Sequence, residues 1–325
     1  MSEGLPSTER VGSRLSLPLE IAAVWAMVVV IAVAIVVTYA RIPSDALYHV
    51  SGHGLSGGLS RALVFSNFSA ALVAIAALAL LADRRANRVT TVVALVGVVL
   101  CAAVFWPGVV DQANLDAKPT NAIAAIGVLV ALVLSAVALR AGTTRSGCRA
   151  GDRVRLVVGV LALALAVPWI AADLGFFLDG VPVLGWVFQT GVELPESAGS
   201  TVLLPAVHHG HHHGMDGLLL LLSALLLSRL VPAVHRRGLR IGVGAYLALM
   251  AAYGIGNIAN DAWGEQVVKR GWTTWTIPSV LRPQLSVAWG LIVLGAAAIY
   301  AVSARLARRQ PDAPVGDAAV VARAS

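Results

Sequence analysis

Residues 119 to 140 read PTNAIAAIGVLVALVLSAVALR, a run with no charged side chain before Arg140. An α-helix rises 1.5 Å per residue, so about 20 such residues span the roughly 30 Å hydrocarbon core of a bilayer. A helix apolar on every side has no face to offer water; its surroundings are lipid or other helices. Seven further stretches reach or approach the same length, near residues 18 to 40, 60 to 82, 89 to 107, 154 to 173, 216 to 234, 239 to 259 and 284 to 304. The eight together predict an all-α fold, a polytopic integral membrane helical bundle of about eight transmembrane helices. Composition agrees: 13% of residues are charged, where soluble domains carry roughly 25%. The chain is expected in the cell membrane as a multi-pass protein.

Basic residues set the orientation, because Lys and Arg are retained on the cytoplasmic side. Placing the N-terminus and the C-terminus inside assigns 18 of the 24 Lys and Arg residues and seven of the 17 acids to the cytoplasm. The formal charge is then +11 inside and −4 outside, together the +7 of the whole chain. The basic balance is thus a topology signal and predicts no nucleic-acid partner. Three parts follow: an N-terminal cytoplasmic tail over 1–17, the bundle over 18–304, and a C-terminal cytoplasmic tail over 305–325. The first apolar run, about 20 residues, exceeds the 7 to 15 of a signal-peptide core and reads as a retained anchor. Cys101 within the third span and Cys148 in a cytoplasmic loop are too far apart to pair.

The outer connections, 41–59, 108–118, 174–215 and 260–283, are longer and chemically richer than the inner ones. Seven of the eight histidines fall on this side, five of them in His208-His209-Gly210-His211-His212-His213. On a helix, His208, His212 and Asp216 recur at i, i+4 and i+8, and His209 and His213 form a second i, i+4 pair. Imidazoles one turn apart chelate one metal ion, with a carboxylate as a harder third ligand. Gly210 and Gly214 equally allow a kinked ligand loop, and a solvated His-rich loop is the plain alternative. His49 and His53 repeat the i, i+4 spacing before the second span; hydrogen-bonded structure explains such a pair as well as ligation does. The metal ligands expected here are His49, His53, His208, His209, His212, His213 and Asp216.

A third cluster closes the seventh span. Asn257, Asp261 and Glu265 share one helical face, and carboxylates at membrane depth are costly unless paired, hydrated or metal-bound. The alternative is an ion pair with Arg270 or Arg282. Asp216, Asp261 and Glu265 are the candidate catalytic residues. Arg61 and Asn67, which enter the second span from the same side, would bind an anionic group or brace the bundle. Asp173, Trp186, Asn257 and Trp263 complete the candidate substrate-binding set, although Trp near a membrane surface is also a simple anchor. Residues 174–215 are apolar enough to lie at the interface or to fold back as a lid.

These residues predict a membrane-embedded enzyme with an outer-face His/carboxylate site, probing membrane lipids or another hydrophobic small molecule as substrate. A divalent metal would be Zn, for hydrolysis by an acidified bound water, or Fe or Cu, for oxygen chemistry. No H-E-x-x-H helix is present, so a zincin-type protease is not expected. An alternative needs no metal: a membrane-bound terpene or isoprenoid cyclase, in which a desolvated carboxylic acid protonates an alkene and aromatic faces stabilise the carbocation. A metal-ion or pH sensor or carrier is a third possibility. Transport is disfavoured by span centres almost free of ionisable residues.

Overall fold

The computed structural model of the chain describes residues 16–41, 52, 54–84, 87–106, 109, 116–173, 181–185, 193–195, 201, 203–205, 212–278, 280 and 285–308. Its α-helices are α1 (Leu19–Arg41), α2 (Gly54–Ser66), α3 (Ser69–Arg84), α4 (Arg88–Ala102), α5 (Asn121–Arg140), α6 (Asp152–Asp173), α7 (His212–Ser228), α8 (Arg237–Trp263) and α9 (Val287–Arg308). A π-helical turn, Gly264–Val268, extends α8. Strand pairing among the described residues is confined to short pieces. Leu17–Pro18 runs parallel to Thr143–Thr144, and Glu193–Pro195 antiparallel to Leu203–Pro205. The fold is an all-α polytopic bundle, and the protein is a multi-pass membrane protein.

Among the described residues six helices are long and apolar enough to cross a membrane: α1, α4, α5, α6, α8 and α9. The stretch expected to be one span at 60 to 82 is instead α2 and α3, bent by 45° at Asn67 and Phe68, and makes a seventh if counted as one. The stretch expected at 216 to 234 is the shorter apolar helix of α7, Gly214–Ser228. Its side chains compensate for its length by burial, with Leu218, Leu219, Leu220, Leu221 and Leu227 all inside the core. α3 is enclosed in the same way, but by small residues: Ala70, Ala71, Ala74, Ala76 and Ala77 are buried. Small side chains let helix backbones approach where lipid supplies no hydrophobic drive between them. The outward faces of α4, α6 and α9 remain apolar, with Leu95, Leu156, Leu161, Leu291 and Leu294 exposed as lipid-facing residues are.

Successive passes of the chain alternate in direction, α2 and α3 together making one pass, and the polar contacts at the two ends record it. At one end Arg229, just after α7, donates to Glu20 Oε1 in the first turn of α1 (2.9 Å) and to both oxygens of Asp152 at the start of α6 (3.1 and 3.2 Å). Arg155 joins the same group, donating to Asp152 Oδ1 at 3.1 Å and to Ser228 Oγ at 2.9 Å. Beside it Asp83, near the end of α3, accepts from the backbone of His235 at 2.8 Å and faces its Nδ1 at 3.0 Å. Leu17 N–H, before α1, donates to Gly142 O, after α5, at 2.9 Å. At the opposite end the termini of α6 and α8 meet the start of α7. Cys101 is buried in α4 and Cys148 is exposed at the Arg229 end; both are free thiols.

Candidate functional site

The end of the bundle opposite Arg229 is organised by one contact. Gly214 N–H, in the first turn of α7, donates to Asp261 Oδ2 in the last turn of α8 at 2.6 Å. The first turn of a helix has N–H groups without intrahelical acceptors, and the positive end of the helix dipole favours an anion there. Asp261 thus caps α7 from a neighbouring helix, and its side chain is buried. The contact requires α7 and α8 to run almost backbone to backbone. A Cβ on Gly217 would stand 2.7 Å from Gly254 O, and one on Gly254 would stand 2.6 Å from Gly217 O. Gly214 is equally confined: its missing Cβ would lie 2.8 Å from the ring of Trp169, which α6 brings in from the third side. Trp169 is itself 1% exposed, so it is a wall of this site rather than an interfacial anchor. Its Nε1 is buried without an acceptor among the described residues.

The predicted face of α8 is real. Asn257, Asp261 and Glu265 are all buried, and Asn257 Nδ2 donates to Tyr253 O one turn earlier at 3.0 Å. Glu265 falls in the π-helical turn, where Lys269 N–H reaches Gly264 O at 2.9 Å across five residues. Single π turns inside α-helices recur at functional sites. The counter-ion of Glu265 differs from those expected: Lys269 Nζ holds Glu265 Oε1 at 2.7 Å, while Arg270 donates to Gln266 Oε1 at 2.7 Å and lies over the Trp272 ring. Arg282 lies outside the described residues. The pair has the i, i+4 spacing, acid before base, that neighbouring turns of a helix bring together.

Aromatic rings enclose this end. Tyr253 stacks on Trp289 of α9 with ring centroids 5.6 Å apart, and Phe68, between α2 and α3, meets Tyr253 edge-on at 5.8 Å. Trp263 donates from Nε1 to Trp275 O at 2.8 Å and packs against the Trp275 ring at 5.2 Å. Trp272 and Trp275 are exposed, as anchors are. Carboxylates among aromatic faces in a water-poor space can hold or pass a proton and can stabilise a developing cation.

The remaining expected site residues divide as follows. Asp216 lies on α7 one turn beyond His212 and is half-buried. His212 and His213 begin α7, so His212 and Asp216 have the i, i+4 relation on a true helix, but the two imidazoles lie outside the described residues, as do His49, His53, His208, His209 and Trp186. Asp173 ends α6 with its side chain likewise outside them. Arg61 is buried and donates to Gly57 O in its own helix at 2.7 Å; Asn67 is buried at the α2–α3 bend. Among the described residues no three His, Cys, Asp or Glu side chains are grouped as metal ligands. Sequence reasoning missed Gly214, Gly217, Gly254, Trp169 and Lys269. The glycines left a signal in their recurrence along apolar helices, and Lys269 in its i, i+4 spacing from Glu265. The chain matches no family model, no curated protein and no solved structure.

Proposed function

We propose that this protein is an enzyme of the cell membrane that acts on a lipid or another hydrophobic small molecule at the Asp261 end of its bundle, on the outer face. The observation that carries the reading is the 2.6 Å contact between Asp261 and Gly214, which joins a buried carboxylate to the helix that starts inside the His-rich segment. The basic clusters around Arg84, Arg140, Arg229 and Arg237 then face the cytoplasm. Asp261 orients the start of α7. Glu265, paired with Lys269, is the group that takes up or returns a proton, and Asp216 faces the substrate beside the histidines.

In this reading His208, His209, His212 and His213 hold a divalent metal with Asp216, and His49 and His53, which precede α2 in the sequence, are the further ligands proposed. Imidazole with one carboxylate is a donor set suited to Zn, Fe or Cu. Bound Zn would supply a water acidified to a pKa of about 7, and Fe or Cu would supply reactivity toward oxygen.

A second reading is favoured by the aromatic enclosure. Trp169 packs against Gly214 beside the Asp261 contact, and Phe68, Tyr253 and Trp289 cluster about two helical turns along α8 from Asp261, aromatic faces that a metal-independent terpene or isoprenoid cyclase would use for its cationic intermediates. One experiment separates the two. The protein in lipid nanodiscs is given total membrane lipid extract and prenyl substrates, and turnover is followed by mass spectrometry with and without chelator. Turnover that chelation abolishes supports the His/carboxylate metal site. Turnover that survives chelation but is lost in Asp261→Asn or Glu265→Gln supports the cyclase. Turnover unaffected by chelator and by either variant refutes both.

A further inference from the structure

Residues 61 to 72 read RALVFSNFSAAL, with neither Pro nor Gly, yet the helix breaks and bends by 45° between Ser66 and Ser69. Sharp bends in apolar helices generally have an identifiable cause, such as Pro, Gly or an inserted polar group. Here the polar residues are Asn67 and Ser69, both 0% exposed. Asn67 turns back on α2: its N–H donates to Val64 O and its Nδ2 to Leu63 O, each at 3.0 Å. That leaves Asn67 Oδ1 buried with no hydrogen-bond partner among the described residues, and Ser69 Oγ, one residue past Phe68, is in the same state. Buried oxygens of this kind cost stability unless something supplies their bonds.

We infer that the α2–α3 break binds the hydroxyl group of a long-chain or prenyl alcohol dissolved in the membrane. An amide oxygen only accepts, whereas a serine hydroxyl both donates and accepts. An alcohol matches this pair: its O–H donates to Asn67 Oδ1, and its oxygen accepts from Ser69. A phosphate or carboxylate would set acceptor against acceptor at Asn67 Oδ1. An ammonium would need a counter-charge, and α2 and α3 carry no ionisable residue between Arg61 and Asp83. The surroundings suit an apolar chain. Phe68 leads by its edge contact to Tyr253 and Trp289. Asp261 lies eight residues beyond Tyr253 along α8, about 12 Å away at helical rise. The inference rests on the reading of Asp261 as part of the reacting end and names the substrate class for it.

The test uses the full chain in nanodiscs and a photoactivatable farnesol. Saturable labelling of peptides from α2, α3, α8 or α9 is expected, displaced by farnesol and at least about ten-fold less well by farnesyl methyl ether, which cannot donate; ten-fold corresponds to about 1.4 kcal/mol. Asn67→Leu should weaken labelling by about ten-fold and Ser69→Ala by several-fold. Ser69→Ala removes a single atom and keeps the test open if Asn67→Leu fails to fold. Equal displacement by the ether, labelling indifferent to Ser69→Ala, or no saturable labelling would overturn the inference, the last by indicating a buried water only. Asp261→Asn should label like the wild type. Turnover unaffected both by chelator and by Glu265→Gln would sink the proposed function while leaving the alcohol site standing.

Discussion

Replacing Gly254 by alanine tests the α7–α8 crossing that brings Asp261 to Gly214. The added Cβ would lie 2.6 Å from Gly217 O, 2.9 Å from Leu221 N and 3.3 Å from Leu221 Cβ. The two nearest atoms are backbone, which has no rotamer to change, so α8 must retreat by about 0.5–1 Å to restore ordinary contact. Overpacking of this kind costs about 1–3 kcal/mol. Alanine recovers up to about 1 kcal/mol of helix propensity, leaving a net loss of roughly 1–2 kcal/mol. Gly242 in the same helix is the matched control: a Cβ there meets nothing within 4 Å, so Gly242→Ala should be neutral or stabilising. The two variants should therefore differ by about 1–3 kcal/mol, the overpacking term alone, because the propensity gain is common to both. Thermal unfolding of detergent-purified protein, read by fluorescence-detected size exclusion, should rank them below and above the wild type. The pair Gly217→Ala and Gly254→Ala should be strongly non-additive, since once the helices part the second Cβ finds room. If Gly254→Ala is no less stable than Gly242→Ala, the crossing is not the tight contact described.

Three further outcomes follow from the same contacts. Arg229→Ala leaves Glu20, 3% exposed at its side chain, and Asp152 without their shared cation; because Arg229 is itself 23% exposed, the loss should be about 1–3 kcal/mol rather than that of a fully buried pair, and Glu20→Gln should restore part of it in the thermal assay. Asp261→Asn keeps an acceptor for Gly214 and should fold with a melting temperature near wild type, yet lose about 10²–10⁴-fold in turnover if the carboxylate takes part in proton transfer; wild-type turnover would remove Asp261 from the chemistry. Cys148 is exposed at the Arg229 end and Cys101 is buried, so a membrane-impermeant maleimide should label Cys148 in inside-out vesicles only and Cys101 in neither orientation; labelling of Cys148 on intact cells would invert the topology.

The helices were legible because burial in lipid needs only length and apolarity, and α5 follows the quoted stretch almost residue for residue. The Asn257, Asp261 and Glu265 face was legible for a similar reason, since helical periodicity alone aligns the three. What periodicity cannot carry is which helix end meets which. The capping of α7 by Asp261 joins residues 47 apart, and the Gly217–Gly254 approach depends on a crossing that neither helix specifies alone. The α2–α3 break was hidden for a different reason. Its cause is a single Asn whose side chain turns back on Leu63, and no conventional breaker marks the place. Arg229 read as one more cytoplasmic charge, yet it holds α1 and α6 together through buried Glu20 and through Asp152. Nothing in the sequence marks the place of Trp169 either, because its burial comes from packing against Gly214 of another helix.

The central claim, a His/carboxylate metal site at the start of α7, is tested most directly by the metal content of the purified protein. Inductively coupled plasma mass spectrometry on the wild type, His212→Ala and Asp216→Ala should find a stoichiometric divalent metal in the first and its loss from both variants, which should still run as folded monodisperse protein. Substoichiometric metal in the wild type, or full occupancy in both variants, would contradict the claim.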